Sequence, residues 1–102
     1  MLADVTGDGK ADAVPYFGGS NGWWYAAPSN GSSGFTSAGL YANGYGVNSS
    51  SQLIGDVNGD GKADAVVYEG GNLGNWWVAN SNGNNVAFSS PVEWMSNFGI
   101  GS

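Results

Sequence analysis

The stretch Gly55-Asp56-Val57-Asn58-Gly59-Asp60-Gly61-Lys62-Ala63-Asp64-Ala65-Val66-Val67-Tyr68 decides the fold, because it joins an acidic loop to a strand in one phrase. Asp56, Asn58, Asp60 and Asp64 put side-chain oxygens at loop positions 1, 3, 5 and 9, and the Lys62 carbonyl falls at position 7. Alternate oxygen donors on a tight loop converge as Ca²⁺ requires, with six to eight oxygens at about 2.3–2.6 Å. Gly61 stands where the chain must turn sharply, and glycine tolerates the positive φ of such a turn. The run that follows is apolar on both faces of a strand, Ala65 and Val67 on one and Val66 and Tyr68 on the other. Such a strand belongs to a sheet covered on both sides. An Asp/Gly-rich hairpin without a metal is the plainer alternative, but crowded carboxylates repel one another there without gain.

The phrase occurs twice. Asp4, Thr6, Asp8, Asp12 and the Lys10 carbonyl repeat the donor set at a spacing of 52 residues, and residues 4–31 match 56–83 at 19 of 28 positions. Beyond these windows a spacing of 53 pairs Phe35 with Phe88, Tyr41 with Trp94, Tyr45 with Phe98 and Gly46 with Gly99. An EF-hand needs a bidentate Glu at position 12 and a departing helix, whereas Pro15 and Val67 stand at that position here and a strand follows. Without His or Cys, a transition metal is a poor match, and Mg²⁺ prefers a tighter octahedron with retained water.

Composition agrees with a turn-rich all-β protein: 19 of 102 residues are Gly, and long helix-forming stretches are missing. Six of the eight acidic residues lie in the two loops, so two bound Ca²⁺ would bring the net charge from −6 to −2. The two basic residues, Lys10 and Lys62, lie inside the same loops, which argues against nucleic acid as a partner. No apolar run approaches a membrane span, and no signal peptide is read in the opening residues. Extracellular Ca²⁺, near millimolar, would fill modest sites of this kind, so a secreted or extracellular setting is expected.

Each repeat predicts four short strands: Met1–Val5, Ala11–Phe17, Gly22–Ala27 and Phe35–Ala42, then Gln52–Val57, Ala63–Glu69, Asn75–Asn80 and Ala87–Met95. Gly70-Gly71-Asn72 and Ser81-Asn82-Gly83-Asn84 supply turns, and Pro15 is expected to interrupt its strand. Four-stranded sheets with two apolar faces, stacked about an axis, are propeller blades. The expected organisation is one blade over residues 1–50 and a second over 51–102, with tandem sandwiches as the alternative.

Residues 55–68 and 3–14 resemble the FG-GAP/VCBS calcium-binding propeller repeat. That resemblance implies calcium in the loop between the first two blade strands, matching the donors read above. Ser81-Asn82-Gly83-Asn84 through Phe88, Pro91 and Asn97-Phe98-Gly99 resembles blades of the mushroom PVL-type propeller lectins. Those lectins carry a Trp-Arg…His stretch near their sugar sites; this chain has neither Arg nor His, so that site does not transfer.

Two blades do not close a ring. Head-to-tail assembly of copies of the chain into a cyclic trimer of six blades or a tetramer of eight is therefore expected, with an excised piece of a longer propeller as the alternative. No catalytic constellation is visible, and Glu69 and Glu93 are expected on solvated surface. Function is sought in the aromatics. Trp23, Trp24, Trp76, Trp77 and Trp94, with Asn80 and Asn82, are candidates for binding carbohydrate through aromatic faces and amides. Because neighbouring tryptophans in a strand point to opposite faces, at least one of each pair is expected in the core. The reading is a calcium-stabilised, multivalent, lectin-like propeller without catalysis, and the alternative is a scaffold propeller with no sugar ligand.

Overall fold

The computed structural model describes residues 1–70, 73–83 and 87–99, which form an all-β protein with no helix among them. Gly71, Asn72 and Asn84, part of the expected turns, lie outside the described residues. In the second repeat β6 (Ser51–Gly55), β7 (Asp64–Glu69), β8 (Asn75–Ala79) and β9 (Val92–Met95) make one antiparallel meander in sequence order. The unbroken register Gly55↔Asp64 to Ser51↔Tyr68 puts the acidic loop at the β6–β7 hairpin.

The first repeat follows the same path with a break. β1 (Leu2–Ala3) pairs with β2 (Asp12–Ala13), and β3 (Tyr16–Phe17), β4 (Trp23–Ala26) and β5 (Gly39–Ala42) form a separate three-stranded sheet. Where β7 runs through Val67, the ladder of the first repeat stops at Pro15, which has no N–H to give it. The two pieces stay joined, because Ala13 and Ala27 exchange backbone bonds of 3.0 and 2.8 Å and Tyr25 N donates to Pro15 O at 3.1 Å.

The last strand of each repeat is shorter than the sequence suggests. Phe35 makes only an isolated bridge with Ser29, and β5 begins at Gly39; β9 begins at Val92, after Pro91. In both repeats this strand bulges against its neighbour at the same place. Trp24 pairs Ala42 and Tyr25 pairs Leu40, while Trp76 pairs Met95 and Trp77 pairs Glu93. Tyr41 and Trp94 are the skipped residues, and a bulge of this kind re-aims a side chain.

The strands of the two repeats pack against each other across one core. Val5, Val14, Trp24, Ala26, Tyr41 and Tyr45 from the first repeat meet Ala63, Ala65, Val67, Ala79 and Phe88 from the second in one buried cluster. Phe88 sits edge-on between Trp24 and Tyr41, with ring centroids 6.2 and 5.4 Å away. Tyr45 reaches across to donate toward Ala65 O and Trp77 O, each at 2.9 Å, and burial pushes its phenol pKa up. At Gly46 the approach is so close that a Cβ would lie 2.9 Å from Val67 Cγ2.

Candidate functional site

Both acidic loops close on their first aspartate. Asp4 Oδ1 accepts the Gly7 and Asp8 N–H groups at 2.7 and 3.3 Å, and Oδ2 accepts Gly9 N–H at 2.7 Å. Asp56 does the same for Gly59, Asp60 and Gly61 at 2.8, 3.3 and 2.9 Å. Gly9 and Gly61 each take φ of 86°, the left-handed backbone that this curl requires.

The ninth-position aspartates do something the sequence reading missed. Asp12 and Asp64 are both fully buried. Asp12 Oδ2 accepts Val5 N–H and Oδ1 accepts Ser29 N–H, both at 3.0 Å. Asp64 repeats this with Val57 N–H at 3.0 Å and Ser81 N–H at 2.9 Å. Each carboxylate therefore ties the end of its repeat's first strand to the chain beyond its third. The clue was present in the sequence, because Val5/Val57 and Ser29/Ser81 keep the same 52-residue spacing as the aspartates.

The fifth-position aspartates face their own lysines. Asp8 Oδ1 accepts Lys10 N–H at 2.9 Å and Oδ2 lies 3.3 Å from Lys10 Nζ; Asp60 and Lys62 repeat this at 2.9 and 3.5 Å. The backbone N–H of the lysine, helped by its ammonium, lowers the pKa of each carboxyl. Asn58 Oδ1 accepts Asp60 N–H at 3.2 Å.

Calcium can be tested against these atoms. Among the described residues no three acidic, His or Cys side chains converge as a group, so a cation here would also draw on hydroxyl, amide, carbonyl and water oxygens. In the first loop Asp4 Oδ1 and Asp12 Oδ2 each lie 3.3 Å from Thr6 Oγ1. Oxygens sharing a Ca²⁺ at about 2.3–2.6 Å sit roughly 3.3–3.7 Å apart along an octahedral edge, whereas around Mg²⁺ the edge is about 2.9 Å. In the first loop these two spacings are hydrogen bonds of the Thr6 hydroxyl, and it is the all-oxygen donor set that is of the kind Ca²⁺ takes. Asp4, Thr6, Asp8, Asp12 and the Lys10 carbonyl would hold it in the first loop, and Asp56, Asn58, Asp60, Asp64 and the Lys62 carbonyl in the second. A Ca²⁺ bound there would supply loop cross-linking and charge neutralisation.

The carbohydrate candidates separate. Trp24 is fully buried in the core, its Nε1 donating to Tyr45 O at 3.0 Å. Trp77 is half-buried against the core with Nε1 on Glu69 Oε1 at 2.8 Å, so Glu69 is engaged and not simply solvated. Trp76 and Trp94 lie together on the outer face of the second sheet, beside Val78 and Phe98. Asn82 is spent on its own loop, donating to Ala87 O at 2.7 Å and accepting from Ser89 Oγ at 3.0 Å. Asn80 is half-buried, its Nδ2 without a partner among the described residues.

Trp23 begins the central strand of its sheet and is partly exposed beside Pro15, Phe17 and Tyr25, its Nε1 donating to Asn43 Oδ1 at 2.9 Å. Asn43 lines a cleft of 390 Å³ between the two sheets, with Tyr41, Phe88, Ser89, Ser90 and Pro91 among the other walls. The sequence reading did not bring these residues together. Compared with models of known protein families and with curated protein sequences, the chain matches none.

Proposed function

We propose that the chain is a non-catalytic, calcium-clipped β-propeller module, two blades of a ring completed by further copies, that binds carbohydrate in the clefts between blades. The observation that carries this is the cleft at Asn43, where the Asn43 amide and the Ser89 and Ser90 hydroxyls meet beside the largely buried rings of Tyr41 and Phe88 at the seam of the two repeats. Aromatic faces accept the C–H side of a sugar ring, while amides and hydroxyls accept its O–H groups. The volume lies within the range of small-ligand sites. A ring repeats the cleft, so weak sites gain avidity.

Calcium in this reading is structural, because both loops lie at hairpins and brace strand ends. A glycan array run with calcium tests the carbohydrate reading, with Asn43→Ala as the control expected to lose the signal. A blank array leaves the second reading, a scaffold propeller with no sugar ligand. That reading is favoured by one specific observation: Trp24 is in the core, Trp77 packs partly against it, and Trp76 and Trp94 share an apolar sheet face with Val57, Val78 and Phe98.

A further inference from the structure

The two repeats share more than sequence. Tyr16 OH donates to Gly46 O at 2.7 Å, and Tyr68 OH does the same to Gly99 O. Trp24 Nε1 donates to Tyr45 O at 3.0 Å, and Trp76 Nε1 to Phe98 O at 3.1 Å. Tyr45 N donates to Gly22 O at 3.0 Å, and Phe98 N to Gly74 O at 2.9 Å. The second repeat thus reproduces the geometry that shapes the buried face of the first, but it turns that face outward.

The correspondence runs residue by residue. Val5, Trp24, Tyr41 and Tyr45 are buried at 0–5% exposure; their counterparts are Val57 at 43%, half-buried Trp76, Trp94 at 51% and Phe98 at 55%. The opposite surface mirrors this. Ala63, Val67 and Phe88 are buried in the second repeat, and their counterparts Ala11, Pro15 and Phe35 are exposed in the first. Gly7 is covered by Lys62, whose Cγ lies 3.0 Å from where a Cβ would stand, while Gly59 has nothing within 4 Å of the same point.

We propose that the outer face of the second sheet docks head to tail on the outer face of the first sheet of another copy, in the register by which the two sheets already pack within one chain. The partner is a second copy, because the first sheet already presents the surface that this face fits. The inference deepens the ring reading above and rests on it for the number of copies. Three junction bonds have ready counterparts across the joint. Ala63 N to Asp4 O, 2.7 Å within the chain, becomes Ala11 N to Asp56 O of the neighbour. Phe88 N to Tyr41 O, 2.9 Å, becomes Phe35 N to Trp94 O, and Ser81 Oγ to Val5 O becomes Ser29 Oγ to Val57 O. One is missing: Phe98 has no hydroxyl to take the place of Tyr45 OH, so the joint between copies is the weaker one.

The test uses Trp94→Glu, which spoils the second-sheet face, and Phe35→Glu, which spoils the first-sheet face. Both positions are about half exposed, at 51% and 52%. In calcium, wild-type protein is expected to sediment as a closed oligomer and each variant alone as a monomer. A one-to-one mixture retains a single good joint per pair and is expected to give a two-chain species. Wild-type oligomers with a mixture that stays monomeric would overturn this joint while leaving a ring built through another face. A monomeric wild type would overturn the joint and the ring together. A second variant works in the intact background: Phe98→Tyr should tighten the joint by about threefold to tenfold, the worth of one buried hydrogen bond. Unchanged or weaker association of that variant counts against the register.

Discussion

Replacing Asp12 by Ala tests whether the ninth loop position is chiefly a structural tie or chiefly a metal ligand. Asp12 is fully buried and accepts N–H bonds of 3.0 Å from Val5, itself fully buried, and from half-buried Ser29. Alanine leaves both donors without their acceptor. An orphaned buried donor costs about 1–3 kcal/mol, and half-buried Ser29 can turn to water, so the loss predicted is about 1–3 kcal/mol from Val5 with a smaller addition from Ser29. Against a total stability of about 5–15 kcal/mol for a domain, that is a large fraction. Urea unfolding followed by tryptophan fluorescence measures it, in calcium and again in excess chelator. A structural tie costs the same in both conditions. A pure ligand costs stability only in calcium, since chelator has already removed what the ligand held. Asp12→Asn sharpens the test, because the amide keeps one acceptor but turns a donor toward the second N–H. If Asp12→Ala matched wild type in chelator, the tie read from the hydrogen bonds would be wrong.

Asp60→Ala should weaken calcium binding in the second loop by at least about tenfold by calorimetry, since the remaining donors fill the shell poorly. It should also lower the melting temperature in calcium while leaving it almost unchanged in chelator. Trp24→Ala should destabilise by about 3–5 kcal/mol, the range for emptying a buried aromatic site, whereas Trp23→Ala, at a partly exposed position, should cost less. Chelator should also shift sedimentation toward smaller species, because Asp4 of the first loop accepts Ala63 N–H across the sheet junction and Asp56 is its counterpart at the joint. An oligomer indifferent to chelator at every concentration would separate the loops from assembly.

The strands were legible because periodicity and turn residues speak locally. Ala65-Val66-Val67-Tyr68 predicts a strand covered on both faces, and these four residues, within β7, are all buried. Pro15 likewise announced its break, since a missing N–H is a property of one residue. What escaped the sequence depends on contacts far along the chain. Asp12 and Asp64 read as loop ligands because their partners, Ser29 and Ser81, stand 17 residues away. Glu69 read as a solvated carboxylate because its partner is the indole of Trp77, on the neighbouring strand. The bulges at Tyr41 and Trp94 leave no local mark, yet they set which way both rings point.

The tryptophans show how such long-range facts bear on function. By number alone, five Trp in 102 residues suggest a surface rich in stacking platforms. Their counterparts say otherwise. Trp76 corresponds to Trp24 and Trp94 to Tyr41, and both of those are buried against the neighbouring sheet. In the docking proposed above, the exposed ring of Trp94 is a packing residue for another copy's sheet. A sugar site, by contrast, needs rings that stay open after assembly. Trp23 does not meet that condition, because it shares an outer pocket with Pro15, Phe17 and Tyr25 on the face proposed above for docking, whereas Asn43, which holds its indole N–H, lines the cleft within the chain. In the proposals above, assembly draws on Trp94 and carbohydrate binding on the cleft at Asn43, so substitutions at these two positions separate them.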